Sequence, residues 1–120
     1  MTAKEWKSKI TKACKDSGTY KPQFIAVIDT LANMLEKRDG AQELFESTGS
    51  KYVIPHTNKN GSTNLEQNPI LRMVNDLNRD ALTYWRDLGL TPKGLKAINE
   101  QAMKAGKESA VEKLLDVLGG

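Results

Sequence analysis

The segment that most constrains the fold runs from residue 68 to residue 98, where the sequence encodes a long helix with a defined start and a sharp end. Asn68 can cap the first free backbone amides, and Pro69 suits the first helical position, where no N–H donor is needed. Apolar residues then recur at spacings of three and four, which places them on one face of the helix. They are Ile70, Val74, Leu77, Ala81, Trp85 and Leu88. This face must be buried against another element.

The helix is followed by Leu88-Gly89-Leu90-Thr91-Pro92, a sequence that stops one helix and begins another. Gly89 can adopt the left-handed conformation that commonly follows a helix. Thr91 and Pro92 supply a new N-cap and a first-turn proline. The chain is therefore predicted to turn a corner at residues 89–91 and to start a second, short helix.

A specific resemblance rests on the order of these features along the chain. The order is a loop with Gly61, then Asn68-Pro69, a helix, and Leu88-Gly89-Leu90-Thr91-Pro92 followed by a basic residue. Over about residues 20–100 the chain resembles the small terminase subunit of tailed bacteriophages, the P27-like family. The resemblance implies a non-catalytic DNA-packaging protein in the cytoplasm of the infected bacterial host. The implied partners are viral double-stranded DNA, further copies of the chain in a ring, and the terminase large subunit, which carries the ATPase and nuclease.

A helix is also predicted from Thr2 to about Ser17, because Thr2 and Glu5 form a capping-box pattern. Its apolar side comprises Trp6, Ile10, Ala13 and Cys14, and its other side is rich in lysine. Up to Lys21 the sequence has six lysines against two carboxylates, whereas residues 22–90 have seven basic and nine acidic residues. Basicity is therefore concentrated at the N-terminus.

Lysines on one helix face can neutralise phosphates and release counterions, which makes binding salt-dependent. A second, smaller basic patch is predicted at the start of the helix after Pro92. The candidate DNA-binding residues are Lys4, Lys7, Lys12, Lys15, Lys93 and Lys96. The same pattern is typical of an ordinary solvated helix face, and lysine without arginine or asparagine gives little sign of base readout. The sequence leaves both interpretations open.

Residues 22–47 predict the second long helix, with Phe24, Ile28, Leu31 and Leu35 at a four-three-four spacing. This helix and the one at residues 69–88 are similar in length, so an antiparallel helical hairpin is their natural pairing. The predicted oligomerisation or core residues are Phe24, Ile28, Leu31, Leu35, Val74, Leu77, Tyr84 and Trp85. A monomeric core and a ring interface both account for them, and the family resemblance favours the ring.

Residues 49–67 change to polar turn residues, and they predict a short β-hairpin or ordered loop. Tyr52-Val53-Ile54 is β-prone, Asn60-Gly61 is a strong two-residue turn signal, and Ser62-Thr63-Asn64 could pair back. His56 has no neighbouring Cys, Asp or second His in the sequence, so a solvated histidine is expected rather than a metal ligand or a triad member.

The C-terminal part is weakly patterned at residues 99–107 and regains helical spacing after that. Val111, Leu114, Leu115 and Leu118 form the predicted partner-docking face. A helix of this length is marginal alone and needs a surface to dock on. That surface is either the chain's own hairpin, an adjacent subunit or the large terminase subunit.

Several classes of protein are disfavoured by what the sequence lacks. It has no apolar run long enough to span a membrane and no secretory leader, which predicts a cytoplasmic protein. No phosphate-binding loop, nucleophile elbow or paired-histidine motif is present, so an enzyme, a cofactor or a metal is not expected. The single cysteine, Cys14, is expected to be a small buried hydrophobe.

These observations predict a mainly α fold: an antiparallel helical hairpin with N-terminal and C-terminal amphipathic helices. It is expected to be a single domain over residues 1–120. This domain would comprise a basic helix (1–18), a hairpin core (20–90) with its loop (49–67), and a C-terminal helical segment (91–120). Two alternatives to the terminase subunit remain: a helix-turn-helix DNA-binding regulator, and a structural adaptor whose lysines only increase solubility.

Overall fold

The computed structural model describes the backbone of residues 1–119 and the side chains of residues 1–107 and 110–118. The elements, in chain order, are α1 (Ala3–Asp16), a short 3-10 turn (Pro22–Phe24), α2 (Ile25–Ser47), β1 (Val53–Thr57), β2 (Thr63–Gln67), α3 (Pro69–Asp87) and α4 (Pro92–Gly119). The predicted mainly helical fold, with a β-hairpin between two long helices, is confirmed.

Side-chain caps set the starts of three helices, as the sequence predicts. The Thr2 hydroxyl accepts the Glu5 amide at 3.2 Å at the start of α1. The Asn68 side chain accepts the Ile70 amide at 3.0 Å at the start of α3. The Thr91 hydroxyl accepts the Gly94 amide at 3.0 Å at the start of α4. Each cap satisfies a backbone donor that has no partner inside its helix.

Helices α2 and α3 form the antiparallel hairpin. Arg38, in the middle of α2, donates to the Asn78 side chain at 3.2 Å in the middle of α3. Further along α2, Leu44 shares a groove with Ile70 and Met73, near the start of α3. Residues later in α2 therefore contact residues earlier in α3, so the two helices run antiparallel.

The buried core is shared by α1, α2 and α3. It comprises Ile10, Cys14, Ile28, Leu31, Ala32, Leu35, Ala81 and Leu88. Burial raises the pKa of the Cys14 thiol, and a hydrogen bond with Thr19 offsets part of this shift. Of the predicted oligomerisation or core residues, Ile28, Leu31, Leu35 and Val74 are buried within the chain. The other four, Phe24, Leu77, Tyr84 and Trp85, are half-buried.

The β-hairpin is longer than predicted, and its turn differs. Its strands pair antiparallel from Val53 opposite Gln67 to Thr57 opposite Thr63. The chain reverses over residues 58–62, where the Asn58 amide donates to the Ser62 carbonyl at 2.8 Å. The prediction of a two-residue turn at Asn60-Gly61 is therefore wrong. Gly61 instead adopts a positive φ of 83° within a five-residue loop.

The C-terminal segment also differs from the expectation of a short helix and a weakly patterned stretch. It is one helix of 28 residues, α4, which continues through Gly106. Good helix formers around Gly106 outweigh the cost of about 1 kcal/mol that one helical glycine imposes. The predicted partner-docking side chains on α4 are exposed, so the second half of this helix does not dock on its own hairpin.

Candidate nucleic-acid interface

Helix α1 presents a basic groove on the face opposite its buried side. Ile10 and Cys14 point into the core and are at most 1% exposed. The opposite side lines a shallow, open groove of about 510 Å³. The groove residues are Lys4, Lys7, Ser8, Thr11, Lys12, Lys15 and Asp16. Hence the structure brings together all four N-terminal candidate lysines, and we call this surface the α1 groove.

Two of these lysines already have carboxylate partners. Lys7 lies 2.8 Å from Asp29 of α2. Lys12 lies 2.9 Å from Asp16, whose hydrogen bond and charge raise the pKa of the lysine. Both pairs are exposed to solvent, and such pairs contribute little to stability. A phosphate group could therefore compete for these lysines at small cost.

The other two lysines are held more loosely. The Lys15 ammonium lies 5.0 Å above the centre of the Tyr20 ring, a cation–π contact. Within the described part of the chain, no carboxylate lies within ion-pair distance of Lys4. Both ammonium groups can meet a phosphate without first breaking an ion pair.

The chemistry of the α1 groove suits the DNA backbone rather than the bases. Lysine, serine and threonine side chains are common donors to phosphate oxygens, and such contacts position a protein without reading sequence. Base readout usually involves arginine, asparagine or glutamine, and none of these lines the α1 groove. A surface of this chemistry would bind a polyphosphate backbone with strong salt dependence and weak sequence preference.

A polar junction fixes α1 to the hairpin. The Asp39 carboxylate of α2 accepts the Trp6 indole N–H at 2.7 Å. It also accepts two guanidinium N–H groups of Arg38, at 2.9 and 3.3 Å, and lies 3.3 Å from the Met1 amino group. Arg38 in turn lies 5.5 Å from the Trp6 ring and bonds to Asn78 of α3. The orientation of the α1 groove is thereby coupled to both helices of the hairpin.

The pKa of Asp39 reflects these contacts. Partial burial alone would raise the pKa of this carboxyl, but the hydrogen bonds from Trp6, Arg38 and the Met1 amino group outweigh burial and hold the pKa below its ordinary value. The carboxylate is therefore charged at neutral pH and keeps all its donors engaged. Sequence reasoning missed this junction because its members are more than thirty residues apart.

The second basic patch lies where α3 meets α4. Lys93 lines a groove with Arg86 and Asp87 of α3, while Lys96 lies 4.0 Å from Glu100 on α4. Arg86 was not among the predicted site residues, although its position one turn before the corner could have indicated it. This groove is lined by two cations against four in the α1 groove, and each groove contains one carboxylate, Asp87 here and Asp16 there.

Glycine makes this corner possible. Gly89 has a φ of 71°, and a Cβ there would lie 3.0 Å from a Thr19 side-chain carbon. A Cβ on Gly94 would overlap the carbonyl oxygen of Arg86, so the first turn of α4 packs directly on the α3 backbone. Because Thr19 follows α1, the end of α1 and the start of α4 lie at the same end of the molecule.

The arrangement of α1 and α4 gives no support to a helix-turn-helix reader. Such a reader needs two helices packed against each other across a short turn. Here α1 packs on α2, and α4 packs on the end of α3. The two basic helices are therefore separate additions to one hairpin.

A third surface is apolar and lies where α2 ends and α3 begins, close to the β-hairpin that connects them. Leu44 and Met73 are each about half exposed, at 51% and 53%. They border an open groove of about 370 Å³. Its residues are Lys37, Gly40, Ala41, Leu44, Ile70, Met73 and Leu77. We call it the α2–α3 groove.

The described residues include neither a cluster of metal-ligating side chains nor a helix that could span a membrane. His56 is exposed and lies 3.8 Å from Glu66, its cross-strand neighbour. Among the residues that the structure describes, no three His, Cys, Asp or Glu side chains cluster as metal ligands would. Over the same part of the chain, no helix is long and apolar enough to cross a membrane.

Comparison with known protein families gives one match. The family described as "Phage terminase, small subunit" matches residues 2–105 of the chain. No curated protein and no solved structure matches it. The family match covers α1, the hairpin, the corner and the first half of α4.

Proposed function

Because the chain belongs to the phage terminase small-subunit family, we propose that it is the non-catalytic DNA-binding component of a viral packaging machine. In this role it binds viral duplex DNA, assembles into a ring, and recruits or regulates the large subunit with its ATPase and nuclease. We further propose that it belongs to the P27-like group and acts in the cytoplasm of the infected bacterium. The Leu88-Gly89-Leu90-Thr91-Pro92 corner supports that finer grouping.

The observation that carries the DNA-binding role is the α1 groove. Four lysines and two hydroxyl side chains share one solvent-exposed face, while the opposite face of α1 is anchored in the core. The Trp6–Asp39 hydrogen bond holds the helix against α2. A fixed basic face avoids part of the ordering cost that a flexible basic tail would incur on binding DNA.

Assembly is supported by apolar surface that the single chain leaves uncovered. Leu44 and Met73 on the hairpin, and several leucine and valine side chains on α4, are more than half exposed. Monomeric proteins rarely leave large contiguous apolar patches in water. Ile28, Leu31, Leu35 and Val74, which were predicted as oligomerisation or core residues, are buried within the chain, so self-association would use surface that stays exposed.

The DNA-binding role is tested by reversing three charges in the α1 groove. We expect Lys4→Glu, Lys12→Glu and Lys15→Glu together to weaken binding to duplex DNA at least tenfold. The slope of log affinity against log salt should also fall by up to about three, since each lost phosphate contact removes about 0.9. Fluorescence anisotropy with labelled duplex DNA measures both quantities.

A matched control carries the same change in net charge elsewhere. Lys51→Glu, Lys59→Glu and Arg72→Glu alter exposed side chains outside the α1 groove. We expect this triple variant to lose much less affinity. If both triple variants weakened binding equally, or if the α1 variant bound as the parent does at low salt, the assignment of the DNA site to α1 would be wrong.

A further inference from the structure

Two apolar surfaces of this chain remain without a partner. The first is the α2–α3 groove, bordered by Leu44 and Met73. The second is a row on α4, which we call the α4 strip. It comprises Val111, Leu114, Leu115 and Leu118, which are 55–74% exposed. Both surfaces are apolar and exposed to water, and exposed apolar patches can mark interaction sites.

The two surfaces are at different ends of an elongated molecule. The α2–α3 groove lies where α3 begins, whereas α4 starts beyond the end of α3. Helix α4 has 28 residues, and at about 1.5 Å per residue it is about 42 Å long. The whole chain measures 84 × 30 × 21 Å, and the α4 strip is exposed to solvent. The strip therefore cannot fill the groove of its own chain in this conformation.

Gly40 leaves open space in the wall of the α2–α3 groove. It lies in the interior of α2, where glycine costs up to about 1 kcal/mol relative to alanine. A Cβ built on Gly40 has nothing within 4 Å, so no contact inside the chain requires glycine there. A missing side chain in the wall of an apolar groove lets a second helix come near the backbone.

The α4 strip has the form that such a groove accepts. Its side chains lie at i, i+3, i+4 and i+7, the spacing by which an amphipathic helix anchors in an apolar groove. Glu112 and Asp116 flank the strip on one side. Lys37 lines the groove and can pair with one of these carboxylates. The α4 strip and the α2–α3 groove are thus both apolar, and the carboxylates beside the strip have the opposite charge to Lys37 in the groove.

We propose that the α4 strip of one copy of this chain docks in the α2–α3 groove of a neighbouring copy. The contact is heterologous, because it joins one surface to a different surface of the next copy. Repetition of a heterologous contact produces a ring when the rotation closes. This inference rests on the self-association proposed above and names the surfaces that carry it.

Site-directed cross-linking tests the contact directly. Leu44→Cys and Leu115→Cys are prepared as separate variants of the full chain and mixed in equal amounts, with one of them carrying a mass tag. A short bismaleimide then joins thiols that lie close together. Both positions are exposed, and the native Cys14 is fully buried, so the parent chain controls for background reaction. We expect one dominant product, a dimer that contains one chain of each variant.

Each other outcome overturns the proposal. A dominant product of two Leu115→Cys chains would mean that the α4 strips pair with each other. A product of two Leu44→Cys chains would mean that grooves face grooves. If the parent assembles but no cross-link forms, the docking is wrong while the ring remains. If the parent is monomeric, the docking and the proposed self-association both fail.

A second pair of variants needs no reactive thiol. Gly40→Met fills the α2–α3 groove and should weaken self-association at least tenfold, while helix content measured by circular dichroism stays equal or rises. Gly106→Met is the matched control, because Gly106 is also a helical glycine with open space around it and is not part of the α4 strip. Unchanged association in the Gly40→Met variant would contradict the docking.

Discussion

Helix α2 and the second half of α4 have similar apolar spacing and different surroundings. In α2, Ile28, Leu31 and Leu35 are at most 1% exposed because α1 and α3 cover them. In α4, Leu114 and Leu115 are 57% and 61% exposed. Periodic apolar residues therefore define which face of a helix will be buried by packing. They do not define whether the partner in that packing lies in the same chain.

The largest expected difference in the free energy of unfolding comes from making the same leucine-to-alanine substitution in each of these two helices. Leu31→Ala should lower the free energy of unfolding by about 2–5 kcal/mol, because it opens a cavity in a packed core. Leu115→Ala should change it by no more than about 0.5 kcal/mol, because the side chain is already in water. Urea denaturation at low protein concentration measures both. Equal losses would mean that α4 packs into a core of its own chain.

A smaller effect is expected from two glycines of α4. Gly94→Ala should cost about 1–3 kcal/mol, since the new Cβ overlaps the Arg86 carbonyl and forces α4 away from α3. Gly106→Ala meets open space and should raise helix content instead. Amide hydrogen exchange near Ile98 reports the corner, and circular dichroism reports the helix. Faster exchange in the Gly106→Ala variant alone would reverse this assignment.

The smallest effect concerns the junction that holds α1. Asp39→Asn should lower the free energy of unfolding by about 1 kcal/mol at neutral pH, since charged hydrogen bonds are lost at a partly exposed site. The pKa of Asp39 in the folded chain lies below its ordinary value. Its stabilising contribution is therefore present above the unfolded pKa of about 3.9 and disappears as the pH falls through the folded pKa.

The parent and the Asp39→Asn variant should accordingly converge in stability once the pH has fallen below the folded-state pKa of Asp39. Urea denaturation at several pH values measures the difference between them. A difference that stayed constant from neutral pH to below that pKa would show that the Asp39 charge does not hold α1 in place.

Local features of the fold could be predicted because they depend on neighbouring residues. Thr2, Asn68 and Thr91 cap their helices as predicted, and the left-handed Gly89 ends the corner between α3 and α4. A cap needs only a short polar side chain next to free backbone amides. Helix starts and ends are therefore readable from the sequence.

Features that depend on distant residues could not be predicted in the same way. The Trp6–Asp39 bond joins residues 33 positions apart, and the close approach of Gly94 to Arg86 depends on the angle between two helices. The turn of the β-hairpin was misjudged because strand register, not the Asn60-Gly61 pair alone, set its length. Helix geometry predicts that the four α1 lysines lie close together, whereas the groove that joins Arg86 to Lys93 depends on how α3 meets α4.

The central claim is that the exposed apolar surfaces of the hairpin and α4 are covered by other copies of the chain. Native mass spectrometry of the full chain, with and without duplex DNA, tests it most directly. The account predicts one discrete homo-oligomer larger than a dimer, which keeps its subunit number when Lys4, Lys12 and Lys15 are changed to glutamate. A single species at the monomer mass of 13.3 kDa across the micromolar range would contradict the account.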